Sequence, residues 1–347
     1  MNQLSRRALL LSTAGAATAL AGCSVPENPA TEEPVAATSP GSGSPSRGGY
    51  VTPRIMPAGK GSGLADGVFP RDVAHFAGTT RIESPPQRVV VLATGQADGL
   101  LTLGLTPVGS TAAKGAETIP GYLLTQFPGQ ADALRAVTAL GVRGEPNMEA
   151  LAALEPDLVL LNAAGAEGKD TYLRISAVAP AVVTQGTGLH WKEDLLLMAD
   201  ALGRTAQAQG ILDRHHAAAA SFGAGVAGTP TVSLLRRNGD RIRIFCVASF
   251  GGSVLEDAGL ARPVSQQATD TTSIDISEEK LADADGDWIF HAVQGGDQTK
   301  LTGLPLWPSL GAVTAGHAVT VDDDAFYLNT GPTAARLVLE TIQQAIG

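Results

Sequence analysis

The chain has 347 residues, 44% of them hydrophobic, which is enough for two folded domains with their own cores. The formal net charge is −10, and this acidic excess argues against a nucleic-acid partner, which would require a basic face. The two cysteines, Cys23 and Cys246, leave no pair for an internal disulfide if Cys23 is modified as described below.

The N-terminal residues 1–23 have the layout of an export signal. A short basic region is followed by an apolar run from Ala8 to Leu20, which is too short to remain as a transmembrane helix. The motif Leu20-Ala21-Gly22-Cys23 resembles the bacterial lipobox, in which cleavage before the cysteine leaves a thiol that carries a lipid. We therefore expect lipidation of Cys23; the alternative is a chance motif in an ordinary signal peptide.

The leader also contains SRRALL at residues 5–10, which resembles a twin-arginine export signal, although adjacent arginines are common in any signal peptide. Residues 24–68 are predicted to be a flexible linker, because the stretch from 24 to about 47 is mostly Pro, Ser, Thr, Ala and Gly. A lipidated cysteine before such a linker places the folded part outside the cytoplasm. It would touch the cell membrane only through the lipid.

Residues 69–200 have the pattern of an α/β lobe. Apolar residues on either side of Gly78 predict a small hairpin, and the apolar run from Arg88 to Ala93 predicts a strand buried on both faces. Further segments predict a helix ending near 103, a strand from 107, a helix from 147 and a strand over 157–161. This order is typical of a doubly wound lobe, in which the loops after the carboxyl ends of strands face the ligand.

The stretch Thr205–Phe222 is predicted to be one long helix, assigned within residues 201–225. Its apolar residues recur at the spacing of a single helical face: Ala208, Ile211, Leu212, Ala219 and Phe222. At roughly 1.5 Å per residue, its ~18 residues would span about 27 Å. We expect this helix to join two lobes with a ligand cleft between them.

Residues 226–347 are predicted to form the second α/β lobe. Asn238-Gly239 predicts a tight hairpin between two strands, and the apolar row in 333–345 predicts a closing helix. A helix from Ser277 and a strand over 287–291 lie between them.

The two lobes share a sequence pattern. Residues 147–160 align without gaps on residues 277–290 at a constant offset of 277 − 147 = 130, and each copy predicts a helix, a short joint and a buried strand. Glu149 and Glu279 fall at the same helical position. The alternative is that both copies merely follow the common pattern of α/β units.

Six segments together carry a family resemblance: 69–109, 146–161, 175–184, 190–209, 247–263 and 276–290. In order and spacing they resemble the substrate-binding lipoproteins of iron-siderophore ABC importers, from about Phe69 to the C-terminus. The resemblance implies two α/β lobes bridged by one long helix and a ferric siderophore as ligand, with no resident cofactor and no enzymatic activity. It also implies an ABC permease as partner and a monomeric receptor.

By the same resemblance, Glu149 and Glu279 match the family's pair of glutamates that dock onto arginines of the permease. The alternative is that both are solvated acids in the first turn of a helix, favoured by the helix dipole.

Ferric siderophores are anionic or rich in oxygen, so their cleft would contain Arg or Lys with a few aromatic or amide contacts. The candidates on loops that face the cleft are Thr94, Gln96, Lys114, Tyr122, Arg143, Arg236, Phe250, Gln294, Trp307 and Tyr327. Trp307, which lies between two prolines, has packing as an alternative role.

Other classes of function have weaker support in the sequence. The six histidines are scattered, so we expect no site for direct metal capture. Neither a GxSxG, HExxH or CxxC motif nor a nucleotide-binding loop is present. Two alternatives stay open: a haem or corrinoid binding protein of the same fold, and an envelope protein that binds a protein or glycan.

Overall fold

The computed structural model describes residues 50–163 and 168–347. The predictions for the signal peptide, the twin-arginine stretch, Cys23 and the linker as far as residue 49 lie outside the described residues. No helix in the described ranges is both long and apolar enough to cross a membrane.

The described chain alternates strands and helices. The strands are β1 (Arg71–His75), β2 (Gly78–Ile82), β3 (Val89–Val91), β4 (Gly109–Ala112), β5 (Thr138–Val142), β6 (Glu145–Pro146), β7 (Leu158–Asn162), β8 (Ala181–Thr184), β9 (Val232–Asn238), β10 (Arg241–Phe245), β11 (Ser273–Ile276), β12 (Trp288–Val293) and β13 (Ala318–Thr320). The α-helices are α1 (Gln96–Thr102), α2 (Gly121–Gln126), α3 (Ala131–Arg135), α4 (Met148–Ala153), α5 (Gly168–Ser176), α6 (Trp191–Ala201), α7 (Thr205–Gly225), α8 (Phe250–Asp257), α9 (Thr299–Thr302), α10 (Gly311–Thr314) and α11 (Pro332–Ile346). Shorter turns are 3₁₀-helical at Pro128–Gln130, Gly188–His190, Val264–Gln266, Glu278–Ala284 and Trp307–Ser309, and π-helical at Asp324–Leu328.

The first lobe contains a six-stranded sheet in the order β6-β5-β4-β3-β7-β8. The pairs from β5 to β8 are parallel, and only the two-residue β6 runs antiparallel to its neighbour. β3 lies between β4 and β7, and all three of its valines are buried, as the apolar run predicted. Helices cover the faces of such a sheet, so its central strands are apolar on both sides.

The predicted hairpin around Gly78 is confirmed as the antiparallel pair of β1 and β2. It packs onto the edge of the first sheet, where the Phe76 N–H donates to the Val183 carbonyl at 3.1 Å and the Thr80 hydroxyl donates to the Ala181 carbonyl at 2.7 Å. Arg71 at the start of the hairpin is fully buried, and its guanidinium donates to the carbonyls of residues Val68 and Ala65.

Residues 50–68, the last part of the predicted linker, pack against both lobes. The Thr52 hydroxyl and the Arg54 guanidinium donate to Glu256 on α8, each at 2.8 Å. Near the other end of the segment, the Ser62 N–H and hydroxyl donate to Asp200 on α6 at 2.7 and 2.8 Å. These partners are more than 130 residues away in the chain, so the local composition carried no sign of them.

The second lobe contains a five-stranded sheet in the order β11-β10-β9-β12-β13. β12 is parallel to both of its neighbours, whereas β9 and β10 form the antiparallel hairpin predicted at Asn238-Gly239. Gly239 adopts a φ of 59°, which glycine reaches without steric cost in a tight hairpin turn.

The long helix α7 runs from Thr205 to Gly225, so its 21 residues span about 31 Å. It packs against α6 of the first lobe and against α8 and α11 of the second. At Gly223 the approach to α8 is so close that a Cβ atom would lie 1.8 Å from the Ala258 carbonyl oxygen. The helix is therefore held along its length by both lobes, which confirms the expected bridged architecture.

The repeat seen in the sequence has a structural counterpart. α4 and the 3₁₀ helix at Glu278–Ala284 begin 130 residues apart, and so do β7 and β12. In each copy an aspartate before the strand binds the start of the neighbouring strand: Asp157 accepts from the Arg88 N–H at 2.9 Å, and Asp287 accepts from the Thr231 N–H at 2.7 Å.

The copies differ in their helices, because the helix predicted from Ser277 is a 3₁₀ helix. Lys280 departs from helical geometry in its middle, with φ −100° and ψ 17°. The copy in the first lobe is an α-helix whose cap, Asn147, accepts from the Ala150 N–H at 3.0 Å.

Candidate functional site

A cleft of about 380 Å³ lies between the two lobes. Its walls are built mainly from residues that follow the carboxyl ends of strands, where an open α/β sheet places its ligands. From the first lobe they include Thr94 and Gln96 after β3, Asn162 on β7 and Thr187 after β8. From the second lobe they include Arg236, Arg243, Phe245, Ser249, Phe250 and Tyr327.

Two close contacts join the lobes at the base of the cleft. Gly95, with a φ of 83°, lies against Thr330, and a Cβ atom would sit 2.1 Å from the Thr330 carbonyl oxygen. Asp98 on α1 is buried, and its carboxylate accepts from the N–H groups of Thr333 and Ala334 at the start of α11, at 3.0 and 2.9 Å. Burial raises the pKa of Asp98, and these hydrogen bonds oppose the rise.

Three arginines line the cleft, and they differ in how their charge is balanced. Arg236 is buried and forms a bidentate ion pair with Asp323, in which its Nε and Nη2 donate to the two carboxylate oxygens at 2.6 and 2.8 Å. Arg243 pairs with Asp275 at 2.9 Å. Arg143 is exposed and donates to the Thr94 hydroxyl, and among the described residues no carboxylate lies within ion-pair distance of it.

Aromatic side chains form the apolar part of the wall. Trp191 at the start of α6 stands edge-to-face with Phe250 at 5.8 Å, and its indole N–H donates to the Ser253 hydroxyl at 2.9 Å. Phe245 lies 4.9 Å from Tyr327, whose hydroxyl donates to the Phe290 carbonyl at 2.6 Å. Burial raises the pKa of Tyr327, so its phenol stays neutral and acts in packing.

The structure brings six of the ten residues proposed from the sequence as ligand contacts to the cleft. These are Thr94, Gln96, Arg143, Arg236, Phe250 and Tyr327. Gln96 accepts from the Ala93 N–H at 3.0 Å, so its side chain shapes the loop after β3.

The other four proposed contacts lie outside this cleft. Tyr122 is buried beneath it and donates to Asp98 at 3.0 Å, and Trp307 packs in the core of the second lobe, 4.9 Å from His291. Gln294 lies near Gly115 of the first lobe, where a Cβ atom would be 3.9 Å from its amide nitrogen. Lys114 is exposed on that same loop.

The sequence analysis did not propose several of the residues that line the cleft, among them Thr187, Trp191 and Arg243. Thr187 follows β8, so the strand-end rule applied to β8 would have found it. Arg243 lies on a hairpin strand whose direction the sequence does not fix.

Glu149 and Glu279 are both exposed, one on each lobe, in the first turn of α4 and of the 3₁₀ helix at Glu278–Ala284. Hydrogen bonds from its own N–H and from the Ser277 hydroxyl lower the pKa of Glu279.

A buried ionic network joins the lobes next to the cleft. Asp257 on α8 accepts from Lys192 on α6 at 2.7 Å and lies 3.0 Å from the imidazole of His215 on α7 and 3.1 Å from Arg54. Burial alone would raise the pKa of Asp257, but the hydrogen bond from His215 and the charge of Lys192 hold it at about 2. The same burial lowers the pKa of Lys192.

Known proteins resemble this chain over most of its length. The probable siderophore-binding lipoprotein YfiY of Bacillus subtilis (strain 168) is 30% identical over 290 residues, covering 79% of this chain and 86% of YfiY. The Fe(3+) dicitrate-binding periplasmic protein FecB of Escherichia coli (strain K12) is 24% identical, covering 79% of this chain and 90% of FecB. The crystal structure of Staphylococcus aureus SirA complexed with staphyloferrin B has a TM-score of 0.68 at 23% identity, covering 79% of this chain and 97% of SirA.

The family described as periplasmic binding protein matches residues 89–325, which is more than half of the chain. The matched range includes both sheets and the long helix α7. The family and fold expected from the sequence are confirmed, and the chain belongs to the periplasmic binding protein family.

Proposed function

We propose that this protein is an extracytoplasmic receptor that captures a ferric siderophore and delivers it to an ABC permease. One observation carries the proposal: an open cleft between two α/β lobes presents an arginine, Arg143, that no carboxylate neutralises in the described structure. YfiY and FecB, which are named for siderophore and ferric dicitrate binding, support it. The siderophore is the cargo, and the protein acts as a receptor without a catalytic step.

The charge pattern of the cleft suits an anionic chelate. Arg236 and Arg243 already form ion pairs with carboxylates of their own lobe, so Arg143 is the cleft arginine left to bind an anion. A guanidinium binds carboxylate or hydroxamate oxygens with two parallel hydrogen bonds, which are stronger than bonds between neutral groups. A volume of about 380 Å³ lies within the usual range for small-molecule sites.

The way the lobes are joined limits the motion that could accompany capture. α7 packs against both lobes, and the Asp98 and Asp257 contacts cross between them. We expect a small rocking of packed elements on binding and no wide hinge opening.

Delivery would use the two exposed glutamates. Glu149 and Glu279 would dock one lobe each onto arginines of the permease, while a lipid on Cys23 would hold the monomeric receptor beside the membrane after export. A twin-arginine route would deliver the protein already folded.

Fluorescence titration tests ligand capture. The protein without residues 1–23 is titrated with ferric citrate, ferrichrome and haem while tryptophan emission is followed, because Trp191 lines the cleft. We expect at least one ferric siderophore to quench the emission saturably. The quenching should fall in Trp191→Phe and persist in Trp307→Phe, which removes a core tryptophan away from the cleft.

Equilibrium dialysis with radioactive iron in the same chelates gives an independent measure of binding. A protein that binds haem alone, or none of the three compounds, would contradict the proposed function.

A further inference from the structure

The loop between β8 and α6 contains an unusual backbone conformation at the cleft wall. Thr187 has φ 66° and ψ 149°, and it lines the cleft. This region of conformational space is almost restricted to glycine, so an L-residue remains there only when its surroundings impose it. Among the described residues, Glu155 is the other non-glycine residue with a positive φ, and it lies on an exposed turn outside the cleft.

A half-buried carboxylate holds this loop from the side of the first lobe. Asp194 on α6 accepts from the Gln185 N–H at 2.8 Å and from the Gly186 N–H at 2.9 Å, with one oxygen for each. Burial raises the pKa of Asp194 to about 6, against the effect of those two hydrogen bonds. The two residues before Thr187 are therefore fixed by a side chain that follows it in the sequence.

The second lobe holds the loop from the other side. Gly188 packs against Phe250 at the start of α8, and a Cβ atom on Gly188 would lie 2.7 Å from the Phe250 Cβ and 2.9 Å from its backbone nitrogen. Thr187 thus sits between a position fixed by Asp194 and a position fixed by contact with the opposite lobe. Neither neighbour can move to relieve the backbone of Thr187 without breaking one of these contacts.

We propose that Thr187 is a specificity-determining residue of the ligand site, and that Asp194 and Gly188 are positioning residues that hold it at the cleft wall. The specificity role rests on the proposed function, since the ligand in question is the ferric siderophore. The positioning role rests on the loop geometry alone.

The first test compares stability with ligand affinity, in order to show whether the strained backbone at Thr187 serves binding. In Thr187→Gly the backbone conformation becomes easy, so we expect an unchanged or higher melting temperature together with at least tenfold weaker binding of the ferric chelate that the wild type binds, ferric citrate or ferrichrome. Thr187→Ala keeps the strained backbone and removes the hydroxyl and methyl groups, and it should lose affinity without gaining stability. Wild-type affinity in both variants would overturn the specificity role.

Glu155→Gly is the matched control. It relieves the other positive φ, so it should raise the melting temperature in the same way while leaving chelate affinity within twofold of the wild type. A tenfold loss of affinity in this variant would show that relief of strain anywhere weakens binding, and would overturn the assignment to Thr187.

The second test needs no ligand. Asp194→Asn replaces one acceptor oxygen by an NH₂ group that faces a backbone N–H, so the amides of Gln185 and Gly186 should exchange with deuterium at least tenfold faster than in the wild type. Unchanged exchange would overturn the positioning role. If the wild type binds no ferric chelate, the proposed function and the specificity role fail together, and this measurement still decides the positioning role.

Discussion

The carboxylate of Asp98, in the first helix of the first lobe, accepts a hydrogen bond from the Thr333 N–H at 3.0 Å, across 235 residues of sequence. It also accepts from the Ala334 N–H, so a residue of one lobe satisfies the otherwise unpaired start of α11. Gly331 makes room for it, since a Cβ atom there would lie 2.8 Å from the Asp98 carboxyl carbon.

Asp98→Ala should therefore lower the free energy of unfolding by about 3 kcal/mol, because it removes a helix cap and leaves buried N–H groups without an acceptor. Asp98→Asn keeps one acceptor oxygen and should cost less. Urea unfolding followed by circular dichroism measures both, and a loss below about 0.5 kcal/mol in the alanine variant would show that water replaces the carboxylate.

Arg143→Ala should weaken binding of the chelate that the wild type binds by at least tenfold, because the guanidinium is the cleft cation without a carboxylate partner in the described structure. Stability should change little, since Arg143 is exposed. Arg143→Lys should recover part of the affinity. Arg135→Ala, which removes an exposed arginine that pairs with Asp132 on α3, is the control, and an equal loss there would mean that the cleft acts only through overall charge.

Lys192→Met should lower the free energy of unfolding by about 3–5 kcal/mol, because it removes one partner of a buried ion pair and leaves Asp257 less compensated. Arg54→Ala removes another partner of the same carboxylate, but this arginine is 31% exposed and should cost about 1 kcal/mol or less. Thermal and urea unfolding compare the two variants. Similar losses would show that burial does not set the strength of this network.

Acid should destabilise the protein between pH 6.5 and 4. Burial lowers the pKa of His75, His216 and His291 to about 4, so these imidazoles are neutral in the folded state but protonate in the unfolded chain below pH 6.5. Each then costs about 1.4 kcal/mol of stability per pH unit until its folded pKa is reached. The raised pKa values of Asp98, Asp194 and Asp324 act in the opposite direction, but hydrogen bonds oppose the rise at Asp98, and Asp194 contributes only below about pH 6.

The melting temperature measured from pH 7.5 to 4.5 tests this balance, and a flat or rising profile on acidification would contradict it. His291→Gln removes one of the three groups and should make the profile less steep, because the amide does not titrate.

The double variant Glu149→Ala, Glu279→Ala should abolish uptake of the chelate in cells and leave its affinity for the purified protein unchanged, because both side chains are exposed outside the cleft. A matched double variant, Glu83→Ala with Glu340→Ala, removes one exposed glutamate from each lobe and should leave uptake intact. A loss of affinity in the first pair, or of uptake in the second, would contradict the docking role.

The helices and strands that could be predicted from the sequence are those marked by a local pattern of residues. The helical spacing of apolar residues identified α7, the valine run identified β3, and Asn238-Gly239 identified the hairpin of the second lobe. A second similarity between the lobes was present in the sequence but was not used. Leu103-Gly104-Leu105 ends α1 in the same way as Ala258-Gly259-Leu260 ends α8, with φ of 85° and 66° at the two glycines.

The site was predictable only in part, because cleft walls are made by distant segments. The strand-end rule placed Thr94 and Arg143 correctly at the cleft. It failed for Trp307, whose short 3₁₀ helix has no periodicity to reveal that the indole faces the core. The rule could not identify the close packing of Gly188, because that packing depends on Phe250 in the other lobe.

The contacts of residues 50–68 change where a truncated protein should begin. A recombinant chain starting at Phe69, the lobe boundary suggested by the sequence, would lack the Thr52 and Arg54 partners of Glu256 and the Ser62 partner of Asp200. Glu256 in the second lobe and Asp200 in the first would both lose hydrogen-bond partners. We therefore expect the truncated protein to be prone to aggregate on expression. A chain that starts at about Tyr50 keeps these pairs and is the better version for purification and crystallisation.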